Sequence, residues 1–305
     1  MRQQDVVFDM ETSDPDDALT LCLLATHPAV VLRAVTVTPG TRAQVGMVRH
    51  LLARAGRSEV PVGARMPESE KDSLSAFHTK WLGPLAPADP DSLAHELLAA
   101  TLRRFPDATL VTGAPLQNLR LLLEHHPEAR LRRWVAQGGF AGDNLVAPEH
   151  RLAKFEGKRT CPTFNFNGDP KGAQLALASE RVGRRELVSK NVTHGVAYDE
   201  AFHERVRPHH TRTAGLALVF EAMEHYLEAR PEGKLLHDPI AACAAIDPGI
   251  VTWAEVEMVR ARGEWGAEPA HGTHTFISVA LDRERFFRTF VGVAPGQDPG
   301  AVSPA

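Results

Sequence analysis

Cysteine is scarce in this chain of 305 residues: Cys22, Cys161 and Cys243 lie far apart and are odd in number. That excludes a disulfide framework and suits reduced thiols in a cytoplasmic protein. No window of about eighteen uncharged apolar residues occurs, so no membrane span is expected. The opening MRQQDVVFDMETSDPDD meets acids too early for a signal peptide, which again points to the cytoplasm. A basic excess is missing too. The balance of 34 Lys and Arg against 38 Asp and Glu leaves a formal charge of -4, which disfavours nucleic acid or an anionic membrane as partner. Neither a repeat, nor a low-complexity tract, nor a linker divides the chain. What is left is an average globular composition, 43% hydrophobic and 24% charged.

At about 150 residues per domain the length would suit two domains, but without a boundary one elaborated domain over 1–305 is the better expectation. A Pro/Gly-rich tail after about Gly292 is expected to fray. Residues 5–8 read as a strand, 17–26 as a helix and 30–37 as a β-branched strand, together a βαβ unit. A surface helix over 42–54 and a short strand at 59–62 follow. A second unit has a strand at 108–111, a Gly113-Ala114-Pro115 turn and an amphipathic helix over 116–124; a further strand at 134–137 stops at Gly138-Gly139. This alternation predicts an α/β fold, a doubly wound and mostly parallel sheet with helices on both faces. Ligands of such sheets bind at the carboxyl ends of the strands. Residues 66–91 and 141–162 read as long loops, the second carrying His150, Arg151, Lys154, Lys158 and Arg159 as a basic lid.

Against this ordinary background the first loop stands out, with Asp9, Glu11, Asp14, Asp16 and Asp17 putting five carboxylates into nine residues. An Asp N-cap on the following helix explains one or two of them. Five converging carboxylates predict a hard divalent cation bound through oxygen. The spacing is not that of an EF-hand, which needs Gly at its sixth position and Glu at its twelfth. Farther on, Leu236-His237-Asp238-Pro239 precedes an apolar helix over 240–246, where Asp238 can supply another metal oxygen and set His237 beside the same centre. In Thr163-Phe164-Asn165-Phe166-Asn167 two amides flank an aromatic ring, suited to reading sugar hydroxyls. Asn in a turn is otherwise there for its backbone habits.

Taken in order, these segments resemble the inosine-uridine-preferring nucleoside hydrolases over most of the chain, from about Asp5 to Phe290. Asp9-Met10-Glu11 and Asp16-Asp17-Ala18 match that family's opening Asp-x-Asp and Asp-Asp-Ala. A strand and small-residue turn (Val35 to Thr41), a Thr-Gly-(Ala)-Pro-Leu-x-Asn turn (Thr112 to Asn118) and the Gly138-Gly139 strand end follow. Then come Phe164 to Pro170, Val192-Thr193-His194 and His237-Asp238-Pro239. The resemblance implies Ca2+-dependent hydrolysis of the N-glycosidic bond of ribonucleosides in nucleoside salvage. It implies Glu11 as a calcium ligand and general base on the metal-bound water, Asp17 and Asp238 as ligands, and the Gln117 carbonyl as another. Asp16, Asn165 and Asp238 would hold the 2′- and 3′-hydroxyls, and His237 would protonate the departing base. Asn144 would contact the 5′ side, while His78 and Trp81 would lie in the loop closing over the base. Relatives are commonly homo-oligomers, dimers or tetramers.

This chain also departs from the pattern. Glu11 is a methylene longer than the usual aspartate, and its loop has one residue more before Asp16. Thr41 stands where an asparagine steers the ribose, and Thr163 replaces a glutamate that accepts from the 5′-hydroxyl. Losing an acid and gaining bases beside the 5′ position makes a nucleotide or 5′-modified nucleoside an alternative substrate, because Lys and Arg suit phosphate. Two other readings compete. Asp9-Met10-Glu11-Thr12 is similar to the loop of haloacid-dehalogenase-like phosphatases, with Asp9 as phosphoryl-accepting nucleophile and Mg2+ bound. The departures also allow a catalytically lapsed module that binds ribose and calcium without turnover.

Overall fold

The continuous apolar run Val6-Val7-Phe8 lies inside the first strand, β1 (Gln4–Met10), and both of its faces are covered. Val6, Phe8 and Met10 enter one hydrophobic core and Val7 the other, as the two-residue period of a strand requires. The computed structural model describes residues 3–70 and 73–293. The expected frayed tail therefore lies outside the described residues from 294 onward.

Among the described residues twelve further strands follow: β2 (Val30–Val37), β3 (Val62–Ala64), β4 (Ser92–Leu93), β5 (Thr109–Thr112), β6 (Leu131–Gln137), β7 (Thr160–Cys161), β8 (Val182–Val188), β9 (Ala197–Tyr198), β10 (Lys234–Leu235), β11 (Val251–Ala261), β12 (Glu264–Pro269) and β13 (Thr275–Leu281). Eleven of the strands form one sheet in the order β4-β3-β2-β1-β5-β6-β8-β13-β11-β12-β7. From β4 to β13 all neighbours run parallel, and β11, β12 and β7 extend the edge antiparallel. The β9–β10 pair forms a separate antiparallel ribbon.

The helices are α1 (Pro15–Thr26), α2 (Arg42–Arg54), α3 (Ala76–Leu82), α4 (Ala94–Arg104), α5 (Gln117–His125), α6 (Phe164–Gly168), α7 (Pro170–Ala178), α8 (Lys190–Thr193), α9 (Glu200–Val206), α10 (Ala214–Ala229), α11 (His237–Ile246) and α12 (Arg283–Phe290). One core joins β1 and β2 to side chains of α1, α2, α10, α11 and α12. The other holds those of α4, α5 and α7 with Trp134 and Trp265. The architecture is thus the doubly wound α/β fold anticipated from the strand and helix alternation. Among the described residues no helix is long and apolar enough to cross a membrane.

Two stretches differ from the loops expected of them. Residues 66–91 contain α3, whose start is fixed by Ser75 Oγ accepting from Phe77 N–H at 3.3 Å. Residues 141–162 fold into two 3-10 turns, Pro148–His150 and Ala153–Phe155, before β7. The functional geometry follows from the sheet order: β2 lies on one side of β1 and β5 on the other, so the winding reverses at β1. A crevice opens at the carboxyl ends of strands where this happens.

Candidate active site

Each strand next to the crevice ends on residues that border it. β1 delivers Glu11, β5 delivers Gly113, β6 delivers Gly138 and Gly139, and β8 delivers Ser189 and Lys190. A cavity of about 380 Å³ lies between them, lined by Glu11, Asp16, Asp17, Thr163, Asn165, Lys190, His194, His237 and Asp238 among others.

The five acids of the first loop do not converge as one group. Asp9 is fully buried and stitches the sheet, accepting from Thr36 Oγ1 and Asn118 Nδ2, both at 2.7 Å. Burial pushes its carboxyl up to about 7, against the pull of those two hydrogen bonds. It does not line the cavity, which removes the nucleophile required by the phosphatase reading. Asp14 holds the N-cap position of α1 without a capping bond, and its Oδ1 lies 2.8 Å from Lys234 Nζ.

Asp16, Asp17 and Asp238 are the acids that meet: one oxygen from each falls within 4.8 Å of the others, and all three are buried. Asp16 Oδ2 accepts from the backbone N–H of His237 at 2.9 Å and of Asp238 at 3.1 Å, the first residues of α11. Its other oxygen faces Lys234 Nζ at 3.3 Å. A carboxylate at a helix N-terminus satisfies donors the helix cannot satisfy itself. Asp17 Oδ1 accepts from Glu11 N–H at 2.9 Å, whereas Asp238 Oδ1 is buried without a partner. Burial, then the neighbouring carboxylates, hold both Asp17 and Asp238 well above the usual range. Buried, mutually repelling and incompletely bonded oxygens are what a divalent cation relieves. The fit is tight, because a Cβ on Gly113 would sit 2.8 Å from Asp238 Cγ.

Around this triangle the other groups are held firmly. Glu11 Oε2 accepts from Ser13 N–H at 2.7 Å and from Ser13 Oγ, so the longer side chain is turned toward its own loop. Asn165 Nδ2 donates to Gly113 O at 2.9 Å and Gln137 Oε1 at 2.8 Å, which leaves its Oδ1 buried and unpartnered. Thr163 is buried with its Oγ1 likewise unpartnered. Burial, with Lys234 adding to it, lowers His237 to about 4. The His194 ring lies 4.8 Å from that of His237 and is lowered to about 3, first by burial and then by His237 and nearby lysines.

A second cavity, of about 810 Å³, shares Ser13, Asp14 and His237 with the first and continues past Phe77 and Tyr226. These two rings meet edge to face at 5.4 Å.

Several expected contacts lie elsewhere. Thr41 caps α2, accepting from Gln44 N–H at 3.3 Å, and lines neither cavity. Asn144 donates to Ala267 O at 2.8 Å on the far edge of the sheet. His78 is buried beside Phe77, and Trp81 turns its indole N–H to Glu221 Oε1 at 3.0 Å, so the aromatic wall is Phe77 and Tyr226 instead. Gln117 heads α5 and donates from its side chain to Gly168 O at 3.0 Å. Lys190, His194 and Lys234 also reach the site. Each is ordinary locally and acquires its place only through β8, the turn before β9, and β10.

Residues 6–288 match the family model of the inosine-uridine preferring nucleoside hydrolases. The chain belongs to that family. It is therefore an enzyme that acts on the N-glycosidic bond of nucleosides. This nucleoside hydrolase is 32% identical over 290 residues to an uncharacterized protein of Aquifex aeolicus (strain VF5), covering 92% of this chain and 95% of that one. It is 27% identical over 271 residues to the pyrimidine-specific ribonucleoside hydrolase RihA of Citrobacter koseri, with 82% and 81% covered. Among solved structures, the plant nucleoside hydrolase PpNRh1 shares the fold at a TM-score of 0.68 and 22% identity, with 96% of this chain and 99% of that chain covered.

Proposed function

We propose that this nucleoside hydrolase cleaves ribonucleosides to base and ribose at the crevice beside β1, with Ca2+ held by Asp17 and Asp238. Glu11 and the Gln117 carbonyl would complete the protein's share of the ligands. The observation that carries the reading is the unpartnered Oδ1 of Asp238 inside a buried carboxylate triangle. When bound, such a cation acts as a Lewis acid that makes water more acidic and orients hydroxyls.

The remaining work falls to the chain's own groups. Asp16, already fixed by two α11 N–H groups and Lys234, is rigid enough to hold a ribose hydroxyl in one orientation. Asn165 offers its free Oδ1 to the sugar, where positive charge builds as the bond to the base breaks. Glu11, whose pKa is raised by burial against the Ser13 hydrogen bonds, accepts the proton of the attacking water. His237 is neutral near pH 7 and so assists the departing base with one N–H hydrogen bond at the entrance to the aromatic cavity. The three buried free thiols support a reducing compartment, hence cytoplasmic nucleoside salvage.

Base release from a panel of purine and pyrimidine ribonucleosides, with and without EDTA, tests this reading. Turnover should disappear in EDTA and return with calcium, and Glu11→Gln should lower kcat by about 10² to 10⁴ with KM little changed. Binding of calcium and ribose without release of base from any nucleoside would favour the lapsed module.

A further inference from the structure

Besides the carboxylates, the smaller cavity is lined by Lys190 and His194, and Lys154 reaches it through His194. Lys190, at the end of β8, places its Nζ 3.0 Å from Pro162 O, next to Thr163. Lys154, from the second 3-10 turn, places its Nζ 2.7 Å from His194 Nδ1. Both ammonium groups lie over the Phe155 ring, at 5.8 and 5.2 Å from its centroid, so one aromatic platform brings them together. Burial and then the charge of Lys190 lower Lys154, as two neighbouring cations should. Neither is paired with a carboxylate among the described residues, in contrast to Lys234. With Nδ1 accepting from Lys154, the His194 proton resides on Nε2, a further donor. Thr163, only 3% exposed and with its Oγ1 unpartnered, also lines this cavity.

The position of this basic end on the substrate follows from the two cavities. His237 opens onto the larger aromatic cavity, whereas Lys190, His194, Thr163 and Phe164 line only the smaller one. With the ribose diol on the triangle and the base toward Phe77 and Tyr226, the substituent left to face Lys190 is the one on C5′. We propose that the cavity takes ribonucleosides carrying an anionic 5′ group, a phosphate first of all, with Lys190, His194 and Thr163 as its subsite and Lys154 behind His194 as a positioning residue. The proposal rests on the hydrolase reading above. Water adds to C1′, the C1′–N bond breaks, the base leaves with a proton and ribose 5-phosphate remains.

The experiment compares kcat/KM for uridine, uridine 5′-monophosphate and orotidine, whose carboxylate is on the base. The monophosphate is expected to exceed uridine by at least about tenfold, the worth of one charge-assisted contact. In K154Q/K190Q that ratio should fall at least about tenfold, while Lys190→Arg retains most of it. A wild-type ratio at or below one, an unchanged ratio in K154Q/K190Q, or an advantage that follows orotidine would overturn the assignment. Calorimetric binding of ribose 5-phosphate against ribose, with calcium present, reads the subsite without turnover. Preference for ribose 5-phosphate with no base release from any substrate would sink the catalytic reading and uphold the subsite. Equal affinity for the two sugars would overturn the subsite alone.

Discussion

Lys234 is the residue whose removal should separate the stability of the fold from the affinity of its cation site. It is 7% exposed, and its ammonium lies 2.8 Å from Asp14 Oδ1 and 3.3 Å from Asp16 Oδ1. Burial opposes its charge, but Asp16 and Asp14 more than offset this and hold it above the ordinary lysine value. Lys234→Met keeps most of the stem and deletes the charge. Removing one member of a buried pair costs about 3–5 kcal/mol, because the partner stays charged and dry. Two features reduce that figure here. The Asp14 side chain is 43% exposed and can rehydrate, and Asp16 keeps the N–H groups of His237 and Asp238 on its other oxygen. The metal-free protein should therefore lose about 2–3 kcal/mol, a fall in Tm of about 3–5 °C.

Calcium should reverse much of this loss, since the cation restores positive charge beside the same acids. A unit charge and a divalent ion about 7 Å apart at an effective dielectric near 40 repel by about 2 kcal/mol, so the variant should bind calcium about thirtyfold more tightly. Thermal unfolding in EDTA and over a calcium series measures both effects, as a gap in Tm that closes when calcium is added. Equal Tm values in EDTA, or a gap that calcium leaves unchanged, would refute the reasoning.

Two further outcomes follow from single residues. Gly113→Ala brings a methyl group to 2.8 Å from Asp238 Cγ, so Asp238 must move; kcat/KM and calcium affinity should each fall by at least about tenfold, read by a calcium titration of activity. His78 is buried, and burial lowers it to about 4. The unfolded chain takes up that proton near pH 6.5 and the folded chain only near 4, so stability is lost as pH falls between these values, by about 3 kcal/mol at most. In His78→Gln the pH dependence of chemical denaturation should be shallower over that window, and an unchanged slope would count against a neutral buried imidazole.

Much of the site was legible because its acids sit on short local motifs. Asp16-Asp17 follows a strand and starts a helix, and His237-Asp238-Pro239 starts another. Helix starts and strand ends are the features that local patterns encode best. What the sequence hid depends on distance along the chain. Lys234 looks like any surface lysine until β10 pairs with β9 and turns it toward Asp14, and Lys190 needs β8 beside β6. Asp9 misled for the same reason: its partners, Thr36 and Asn118, come from β2 and α5, and they make a stitch of what resembled a ligand. The helix α3 escaped notice because seven residues are too few to display a helical period. Of the positions implied by resemblance, some line the cavity and others do not, for a physical reason. Asn165 and Asp238 are fixed by several bonds or by close packing at strand ends, while Asn144, in a loop, and Trp81, on the short helix α3, are turned by their own surroundings toward Ala267 and Glu221.

The hydrogen bonds from the start of α11 to Asp16 span 221 and 222 positions of sequence. A chain still emerging during synthesis holds the first two acids of the triangle early but lacks the third until Asp238, more than two hundred positions later, has been made. Until α11 docks, there is neither a cage for an ion nor a wall against the sugar. On the proposed reading the enzyme is thus inert until α11 has been made, and among the described residues β11, β12, β13 and α12 remain to be added after it. Any truncation before α11 should yield a product blind to calcium, however much of the sheet it retains.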